Sequence, residues 1–366
     1  MIKLEDYGWQ PYVTEMDTTE LPARITAVHR DRYELICKHG AVYAKLKTSV
    51  YYGKKECFYG ENNSLEDFPT VGDFVMIQYE PNGDSLIVKT LPRKSVFTRR
   101  DPTPGRSSMP GREEQAVAAN FDTVFIMTSL NRDFNLRRLE RYLTLVWQSN
   151  ATPVIILSKA DLVDDCYQQI IDVSEIAAGV DVIAVSVVIG QGINELEKYL
   201  KPGKTIVFLG MSGVGKSSLL NAIANEDLMT VQKTRNVDDS KGRHTTTHRE
   251  LFMLPSGTMI IDTPGMRELG VWNVSSGLGE TFGDVEEILA KRCKFTNCQH
   301  QTEPGCAIKT ALENKELSEE RWQNYLKLKR EAKYTEDKIG YMQERQQWHK
   351  DLVKWSKSVK KSNSLL

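Results

Sequence analysis

One stretch of the sequence has residue types and spacing suited to binding phosphates: Gly210, Met211, Ser212, Gly213, Val214, Gly215, Lys216 and Ser217. It shares its first glycine with the apolar run TIVFLG and precedes the helix-forming run SSLLNAIA. Glycines at these places let successive backbone N–H groups and a helix N-terminus face phosphate oxygens. The stretch therefore predicts a phosphate-binding loop, in which Lys216 contacts the terminal phosphates, Ser217 supplies its hydroxyl to Mg²⁺, and Ser218 completes the site.

A second motif has the chemistry needed to select the base of a nucleotide. Ser158-Lys159-Ala160-Asp161 follows an apolar run and is similar to the [NT]-K-x-D motif of GTPases, with serine in place of the common asparagine. Asp161 would accept hydrogen bonds from guanine N1–H and the exocyclic amine, a donor pair that adenine lacks, and Lys159 would pack along the base. Ser186 matches the serine of the loop that lies over guanine. These residues predict GTP or GDP as ligand; an ATP-using P-loop enzyme is the alternative.

Two further fragments are typical of the switches that sense the terminal phosphate. Asp262-Thr263-Pro264-Gly265 ends an apolar run, so Asp262 is expected near Mg²⁺ and the Gly265 N–H near the γ-phosphate. Between this fragment and the phosphate loop, GRHTTTHRE offers threonines that could close over the metal ion. Thr245 and Thr246 are candidates for that role, as is Thr247, and the sequence does not choose among them.

The residue after the second switch fragment raises a question about hydrolysis. It is Met266, where Ras-like enzymes have a glutamine that orients the attacking water. Slow intrinsic turnover is therefore expected. His244 is the nearest polar substitute, and we hypothesise that it positions water once a bound partner orders the switch. An ordinary exposed histidine, in a nucleotide-gated RNA-binding scaffold with negligible catalysis, is the alternative.

Four soft or borderline metal ligands lie close together near the C-terminal end: Cys293, Cys298, His300 and Cys306. The pattern C-x₄-C-x-H-x₅-C, with Pro304-Gly305 turning the chain back, fits a closed tetrahedral zinc site. Because no coordination position is left open, the sequence predicts one structural Zn²⁺ per chain.

Alternating apolar runs and amphipathic stretches indicate the elements that position the nucleotide motifs. TVFIMTSL, TPVIILS, DVIAVSV and TIVFLG are strand-like, and helices are predicted over Leu136–Trp147, Gln168–Ala177 and Ile193–Leu200. This alternation predicts parallel βαβ units in a doubly wound α/β sheet. Asp161 precedes Lys216 by 55 residues, the reverse of the usual motif order. The domain is therefore expected to be a circularly permuted P-loop GTPase, tolerated because domain termini tend to lie close together.

Five short β-type runs between Arg24 and Thr90 precede this domain: ARITAV, YELIC, AVYAKL, DFVMIQY and SLIVKT. They predict a small barrel of the oligonucleotide-binding (OB) type; an SH3-like barrel with a protein partner is the alternative. The stretch 93–114 holds six basic and three acidic residues, which suits either a solvated linker or a contact with a phosphate backbone. The predicted domains are residues 1–92 for the N-terminal extension and barrel, 93–115 for the linker, 116–272 for the GTPase domain, and 273–366 for the zinc knuckle and helices.

The bulk composition limits the class of protein. Of the 366 residues, 40% are apolar and 27% charged, and the net charge is −1. No tract of about 18 apolar residues is present, and the acidic start MIKLEDYGWQ is unlike an export signal. We expect a cytoplasmic protein without a membrane partner. The segment from Lys315 onward holds 13 basic and 8 acidic residues, a solvated helical face or an RNA-facing one.

Together, the barrel, the permuted motif order, GRHTTT, DTPGMRELG and the cysteine knuckle resemble the ribosome small subunit-dependent GTPase A family (RsgA, also called YjeQ or YloQ). The resemblance implies GTP hydrolysis stimulated by the 30S ribosomal subunit and a role in its late maturation. It also implies that the barrel and zinc region contact 16S rRNA, and we expect the free protein to be a monomer. Since the second switch lies just before the cysteine knuckle in the chain, its movement is expected to reach that region.

Overall fold

The structure, a computed structural model, describes residues 2–10, 20–29, 32–48, 68–100, 114–131, 134–225, 249–262, 275–291, 293–301 and 303–336. The chain divides into two compact units, Met1–Gly270 and Val271–Leu366. The first contains the barrel and the nucleotide-binding sheet, and the second contains helices and the cysteine cluster.

The first five strands close into a barrel, which confirms the predicted OB-type architecture. They are β1 (Leu21–Val28), β2 (Tyr33–Cys37), β3 (Gly40–Leu46), β4 (Phe74–Gln78) and β5 (Ser85–Thr90). Strand β1 pairs antiparallel with both β2 and β4, and β3 pairs parallel with β5, so the sheet closes on itself. Alternate residues of these strands fill the interior, where Ile25, Leu35, Ile77 and Ile87 are fully buried.

The predicted basic linker contains regular structure in its described parts. Strands β6 (Val96–Arg100) and β7 (Glu114–Ala119) form an antiparallel two-stranded sheet. Phe97 and Val117 are buried, and the Phe97 ring stacks on that of Phe121 at 4.7 Å between centroids. Apolar burial therefore holds this segment in place, although its composition suggested a solvated connection. Residues 101–113 lie outside the described part.

Six strands build the nucleotide-binding sheet in the order β10-β9-β8-β11-β13-β12. They are β8 (Thr123–Ser129), β9 (Thr152–Ser158), β10 (Asp181–Val185), β11 (Thr205–Gly210), β12 (Arg249–Met253) and β13 (Met259–Asp262). All neighbours are parallel except β12, which runs antiparallel to β13. Helices α1 (Leu136–Gln148), α2 (Tyr167–Ile176) and α3 (Lys216–Ala224) connect them. The parallel α/β sheet is thus confirmed, and β12 is an addition to it.

The helix predicted over Ile193–Leu200 is wrong. Only a 3-10 turn, Asn194–Leu196, forms there, and the surrounding backbone bonds also join residues three apart, such as Tyr199 N–H to Leu196 O at 3.0 Å. Pro202 ends the segment, because it lacks an N–H and disfavours helical backbone at the residue before it. Leu196 is buried, and Ile193, Tyr199 and Leu200 pack against the same core cluster from this short 3-10 turn.

The barrel and the nucleotide-binding sheet are joined through the first barrel strand. Strand β1 pairs with β12 at Ala27–Glu250 and Val28–Arg249, so the two sheets are hydrogen-bonded to each other. Beside this junction the buried Arg24 guanidinium donates to Gly72 O at 3.2 Å and to Thr205 Oγ1 at 2.9 Å. Burial lowers the pKa of Arg24 to about 10. One side chain therefore bonds both sheets of the first unit.

The second unit is helical in its described part. Its helices are α4 (Ser275–Thr281), α5 (Gly283–Ala290), α6 (Ala307–Glu313) and α7 (Glu319–Glu336). Phe282, Trp322 and Tyr325 pack together as aromatic neighbours at 5.5 to 5.6 Å between ring centroids. The basic segment beyond residue 336 lies outside the described residues. Within the described ranges, no helix combines the length and apolar character needed to cross a membrane.

Candidate functional site

The predicted phosphate-binding loop connects β11 to α3, and its glycines are required by its backbone. Gly215 has φ 97° and lies at the N-cap of α3. Gly210 approaches β8 so closely that a Cβ atom there would lie 2.5 Å from Met127 O. A side chain at either position would strain or displace the loop. The backbone therefore has the shape that the glycine spacing predicted.

Lys216 is the first residue of α3, and its side chain folds over the loop. Its ammonium group donates hydrogen bonds to Gly210 O at 2.7 Å and Met211 O at 2.6 Å. The charge thus lies beside the helix N-terminus, where the helix dipole also favours an anion. Ser217 and Ser218 occupy the first turn of the same helix. This arrangement fits a polyphosphate with Mg²⁺.

Ser158 links the base-reading loop to the phosphate loop. Its buried hydroxyl lies 2.6 Å from Val214 O and 3.2 Å from Thr128 O. A hydroxyl has one proton, and the shorter contact shows that it donates mainly to Val214. Ser158 is therefore part of the scaffold that holds the two loops together, which is a role that serine can fill in place of asparagine.

Replacing Ser158 with alanine is expected to weaken GDP binding by about fivefold to tenfold, since one net hydrogen bond contributes about 1 kcal/mol. Val214 O would lose its partner, and the base-reading loop would be held less firmly against the phosphate loop. Isothermal titration with GDP measures the effect, and Ser174→Ala on α2 is a matched control whose hydroxyl bonds only within its own helix. Unchanged GDP affinity in Ser158→Ala would contradict this role.

Asp161 and Ser186, from loops after β9 and β10, lie together. The Ser186 hydroxyl donates to Asp161 Oδ1 at 2.5 Å, and Lys159 adopts a left-handed backbone with φ 60°. The Ser186 N–H donates to Gln191 O at 3.1 Å, which turns the loop back on itself. Gln191 was not predicted as part of the site, because it contributes a backbone atom that no side-chain pattern identifies.

The predicted switch residues are only partly described. Asp262 is the last residue of β13, and its neighbour Ile261 pairs with Val207 of β11, so Asp262 lies near the strand that leads into the phosphate loop. His244, Thr245, Thr246 and Gly265 lie outside the described residues. The described nucleotide motifs all follow the carboxyl ends of parallel strands, where open α/β sheets bind ligands.

The four predicted metal ligands converge. The ligand atoms of Cys293, Cys298, His300 and Cys306 all lie within 4.8 Å of one another. His300 Nδ1 lies 3.5 Å from Cys293 Sγ, 3.6 Å from Cys298 Sγ and 3.4 Å from Cys306 Sγ. Ligand atoms around a tetrahedral zinc are separated by about 3.5–3.8 Å, given the usual bond lengths. The three His–Cys distances fit this spacing, and Cys293 Sγ lies 4.0 Å from Cys306 Sγ, so the four residues could hold a metal ion with slight contraction of the sulfur–sulfur distances.

Local backbone features shape this cluster. Gly305 has φ 72°, and a Cβ atom there would lie 3.0 Å from Lys294 Cβ, so the turn before Cys306 favours glycine. Lys294 N–H donates to Gly305 O at 3.0 Å, which closes the knuckle. The His300 ring lies edge-on to Trp322 at 5.8 Å, and this contact orients the imidazole. The site is supported by α7 and not by its own short loop alone.

Comparisons with known proteins agree with this geometry. The family model of the RsgA GTPase matches residues 90–272. A relative from Listeria monocytogenes, named small ribosomal subunit biogenesis GTPase RsgA 2, is 45% identical over 350 residues, which cover 94% of each chain. A relative from Oceanobacillus iheyensis, named small ribosomal subunit biogenesis GTPase RsgA 1, is 40% identical over 351 residues, covering 94% of this chain and 95% of the relative.

Two solved structures have the same architecture. YjeQ from Thermotoga maritima matches with a TM-score of 0.57 and 25% identity, covering 84% of this chain and 97% of that one. YloQ, described as a circularly permuted GTPase, matches with a TM-score of 0.54 and 25% identity, covering 86% of this chain and 96% of its own. The family match and the relatives' identity over most of both chains establish that this chain belongs to the RsgA GTPase family.

Proposed function

We propose that this GTPase hydrolyses GTP to GDP and phosphate and acts in the biogenesis of the small ribosomal subunit. The observation that carries the proposal is the bond from Ser158 Oγ to Val214 O, 2.6 Å long. It places the guanine-type motif against the phosphate loop although the two motifs occur in reversed order along the chain. The names of the relatives from Listeria and Oceanobacillus supply the biological setting.

In the proposed reaction, different residues bind the phosphates, neutralise charge and hold Mg²⁺. Backbone N–H groups from Gly210 to Ser218 hold the phosphates, and Lys216 neutralises charge that develops on the β- and γ-phosphate oxygens. Ser217, Asp262 and one of Thr245, Thr246 and Thr247 would hold Mg²⁺, which would supply further charge neutralisation. Gly265 would donate its N–H to the γ-phosphate. Water attacks the γ-phosphorus, and the bond between this phosphorus and the β–γ bridging oxygen breaks. One proton of the water stays on the released phosphate, and the other passes to solvent.

Asp161 is proposed to select guanine, with Lys159 along the base and Ser186 at its edge. Replacing Asp161 with asparagine is expected to lower GDP affinity by about a hundredfold, because the neutral amide accepts from only one of guanine's two donors and its NH₂ group opposes the other. An amide also donates, so the variant should gain affinity for xanthosine diphosphate, whose C2 carries a carbonyl. Competition of GDP, ADP and xanthosine diphosphate for a fluorescent nucleotide measures both changes. Equal affinity of the native protein for GDP and ADP would refute guanine selection.

His244 is proposed to position the attacking water in place of the missing glutamine. Replacing His244 with alanine should then lower stimulated turnover by about 10²-fold while leaving GTP affinity nearly unchanged, as expected for a lost proton acceptor. Single-turnover hydrolysis with saturating small subunits measures this, and His248→Ala in the same segment is the matched control. If both variants retain native turnover, another group positions the water.

The proposed partner is the 30S subunit, bound through 16S rRNA, and the proposed step is late in its maturation. Single-turnover GTP hydrolysis by the full chain, with and without purified 30S subunits, tests the proposal. We expect stimulation by the subunits. Native subunit binding without stimulated phosphate release would favour the nucleotide-gated scaffold instead.

The Cys₃His cluster is proposed to bind one structural Zn²⁺. With three thiolates and one imidazole it satisfies all four positions of the metal, so it would hold the second unit together and take no part in hydrolysis. We further propose a monomer with the domain limits 1–92, 93–115, 116–272 and 273–366. The first three segments lie in the compact unit Met1–Gly270, apart from residues 271 and 272, which fall in the second unit.

A further inference from the structure

A lysine-lined cavity lies at the edge of the nucleotide-binding sheet opposite the phosphate loop. Its volume is about 380 Å³, and its lining includes Lys94, Lys198, Lys201 and Lys204. Thr123 and Thr152, which begin β8 and β9, also line it, so it lies at the amino ends of the parallel strands. The phosphate loop follows the carboxyl end of β11. A six-residue strand separates the two sites by about 20 Å.

Asp122 organises part of this lysine cavity. Its Oδ1 accepts hydrogen bonds from Lys94 Nζ at 2.9 Å and from Lys204 Nζ at 3.0 Å, and its Oδ2 accepts from Thr205 N–H at 2.9 Å. Burial opposes ionisation of this carboxyl, but the three donors outweigh it and hold the pKa of Asp122 below its ordinary value. The carboxylate therefore stays charged and holds two ammonium groups close together.

The lysine cavity retains an excess of positive charge. Four lysines and one aspartate among its lining residues give the cavity a net charge of +3. Asp181 accepts a hydrogen bond from Lys198 Nζ at 2.6 Å and reduces this net charge to +2. Lys94, Lys198 and Lys204 keep 45 to 55% of their side-chain surface exposed. Lys201 has no acidic partner among the residues that the structure describes. The positive charge is thus accessible to an anion from solvent.

The chemistry of the lining distinguishes among anions. Its charges are lysine ammonium groups, which act as point charges and lack the fork that arginine presents to one enclosed phosphate. They come from two chain segments around an accessible cavity, which suits successive phosphates of a nucleic-acid backbone. The half-buried Tyr199 adds aromatic surface beside them.

We propose that the lysine cavity formed by Lys94, Lys198, Lys201 and Lys204 binds the phosphate backbone of the RNA in the small ribosomal subunit, at a contact separate from the nucleotide site. The inference rests on the proposed function, because it takes the same RNA-containing particle as partner. It adds a face of the GTPase domain itself to the surfaces that engage RNA.

The test uses the double variant Lys198→Gln/Lys201→Gln in the full chain, since these two lysines do not hold Asp122. Binding of fluorescent protein to purified 30S subunits is measured between about 50 and 200 mM KCl, where phosphate contacts depend strongly on salt. We expect affinity to fall about tenfold and the slope of log affinity against log salt to decrease by about two, one for each lost phosphate contact. The matched control Lys198→Arg/Lys201→Arg keeps both charges and should bind like the native chain.

Two further measurements, of GDP affinity and of pyrophosphate binding, distinguish failure of the lysine cavity as an RNA contact from failure of the proposed function. GDP affinity should be unchanged in the double glutamine variant, because the cavity and the phosphate loop are at opposite edges. Native affinity and native salt slope in that variant would overturn the lysine cavity as an RNA contact while leaving the proposed function intact. No 30S binding by the native chain would overturn both. Lysine-dependent binding of inorganic pyrophosphate, with unchanged 30S binding, would assign the cavity to a small anion and also overturn the proposal.

Discussion

Replacing Lys216 with alanine is expected to lower subunit-stimulated GTP hydrolysis by about 10³-fold, at the upper end of the cost of removing one group that stabilises transition-state charge. In the structure its ammonium group is bonded to Gly210 O and Met211 O, at the mouth of the loop. The β- and γ-phosphates would replace these carbonyls as partners. Single-turnover phosphate release at saturating 30S subunits measures the loss.

Lys201→Ala is a suitable control for that experiment. It removes the same charge from the same domain, but from the opposite edge of the sheet, so intrinsic turnover, measured without subunits, should stay near the native value in Lys201→Ala and fall in Lys216→Ala. GDP titration of both variants separates binding from chemistry, and weaker binding is expected only in Lys216→Ala. Turnover of Lys216→Ala within about tenfold of the native rate would remove Lys216 from the catalytic role, since a tenfold change corresponds to only about 1.4 kcal/mol.

Replacing Cys306 with serine is expected to abolish the proposed zinc binding and to unfold the second unit. Metal sites of this kind bind zinc with about 10–16 kcal/mol, and much of that free energy stabilises the fold. Cys306 is buried, precedes α6 directly and lies 3.4 Å from His300 Nδ1, so its loss disrupts both the ligand set and the start of a helix. Metal analysis should find one zinc in the native chain and none in the variant.

Circular dichroism and limited proteolysis should show loss of helix and rapid cleavage within residues 271–366 of the Cys306→Ser chain. Cys166→Ser is the matched control, because Cys166 is a thiol outside the cluster at the start of α2. GDP binding should persist in both variants, since the nucleotide motifs belong to the other unit. A native chain that contains no metal and resists chelator would contradict the zinc assignment.

Local patterns in the sequence were sufficient to predict the main elements of the protein. The glycine spacing from Gly210 to Gly215 predicted the phosphate loop, because left-handed and close-approach positions must be glycine. The five barrel strands were predicted from alternation and turn residues, and all five form. The four metal ligands occur within fourteen positions, so their spacing alone predicted that they would meet. In each case a local pattern of residue types identified the element, although the barrel closes through β1–β4 pairing and Gly210 packs against Met127, both distant in sequence.

The errors occurred where neighbours distant in sequence determine the local structure. The composition of residues 93–100 suggested a solvated linker, yet Val96–Arg100 is a strand because β7 pairs with it. A helix was predicted over Ile193–Leu200, but only the 3-10 turn Asn194–Leu196 forms, and Leu196 is buried in one core cluster with Phe125 of β8 and Phe208 of β11. Neither the composition nor the periodicity of a segment identifies the strand or core residues against which it will pack.

The sequence by itself determined the candidate residues for the nucleotide and metal chemistry, whereas the tertiary structure decided how the separate motifs are joined. Ser158 and Val214 are 56 positions apart, and Arg24 and Thr205 are 181 apart, yet each pair is hydrogen-bonded. The lysine cavity likewise unites Lys94 with Lys198–Lys204 through Asp122. Contacts of this kind arise only when the sheet order brings distant strands side by side, and no residue pattern along the chain encodes that order directly.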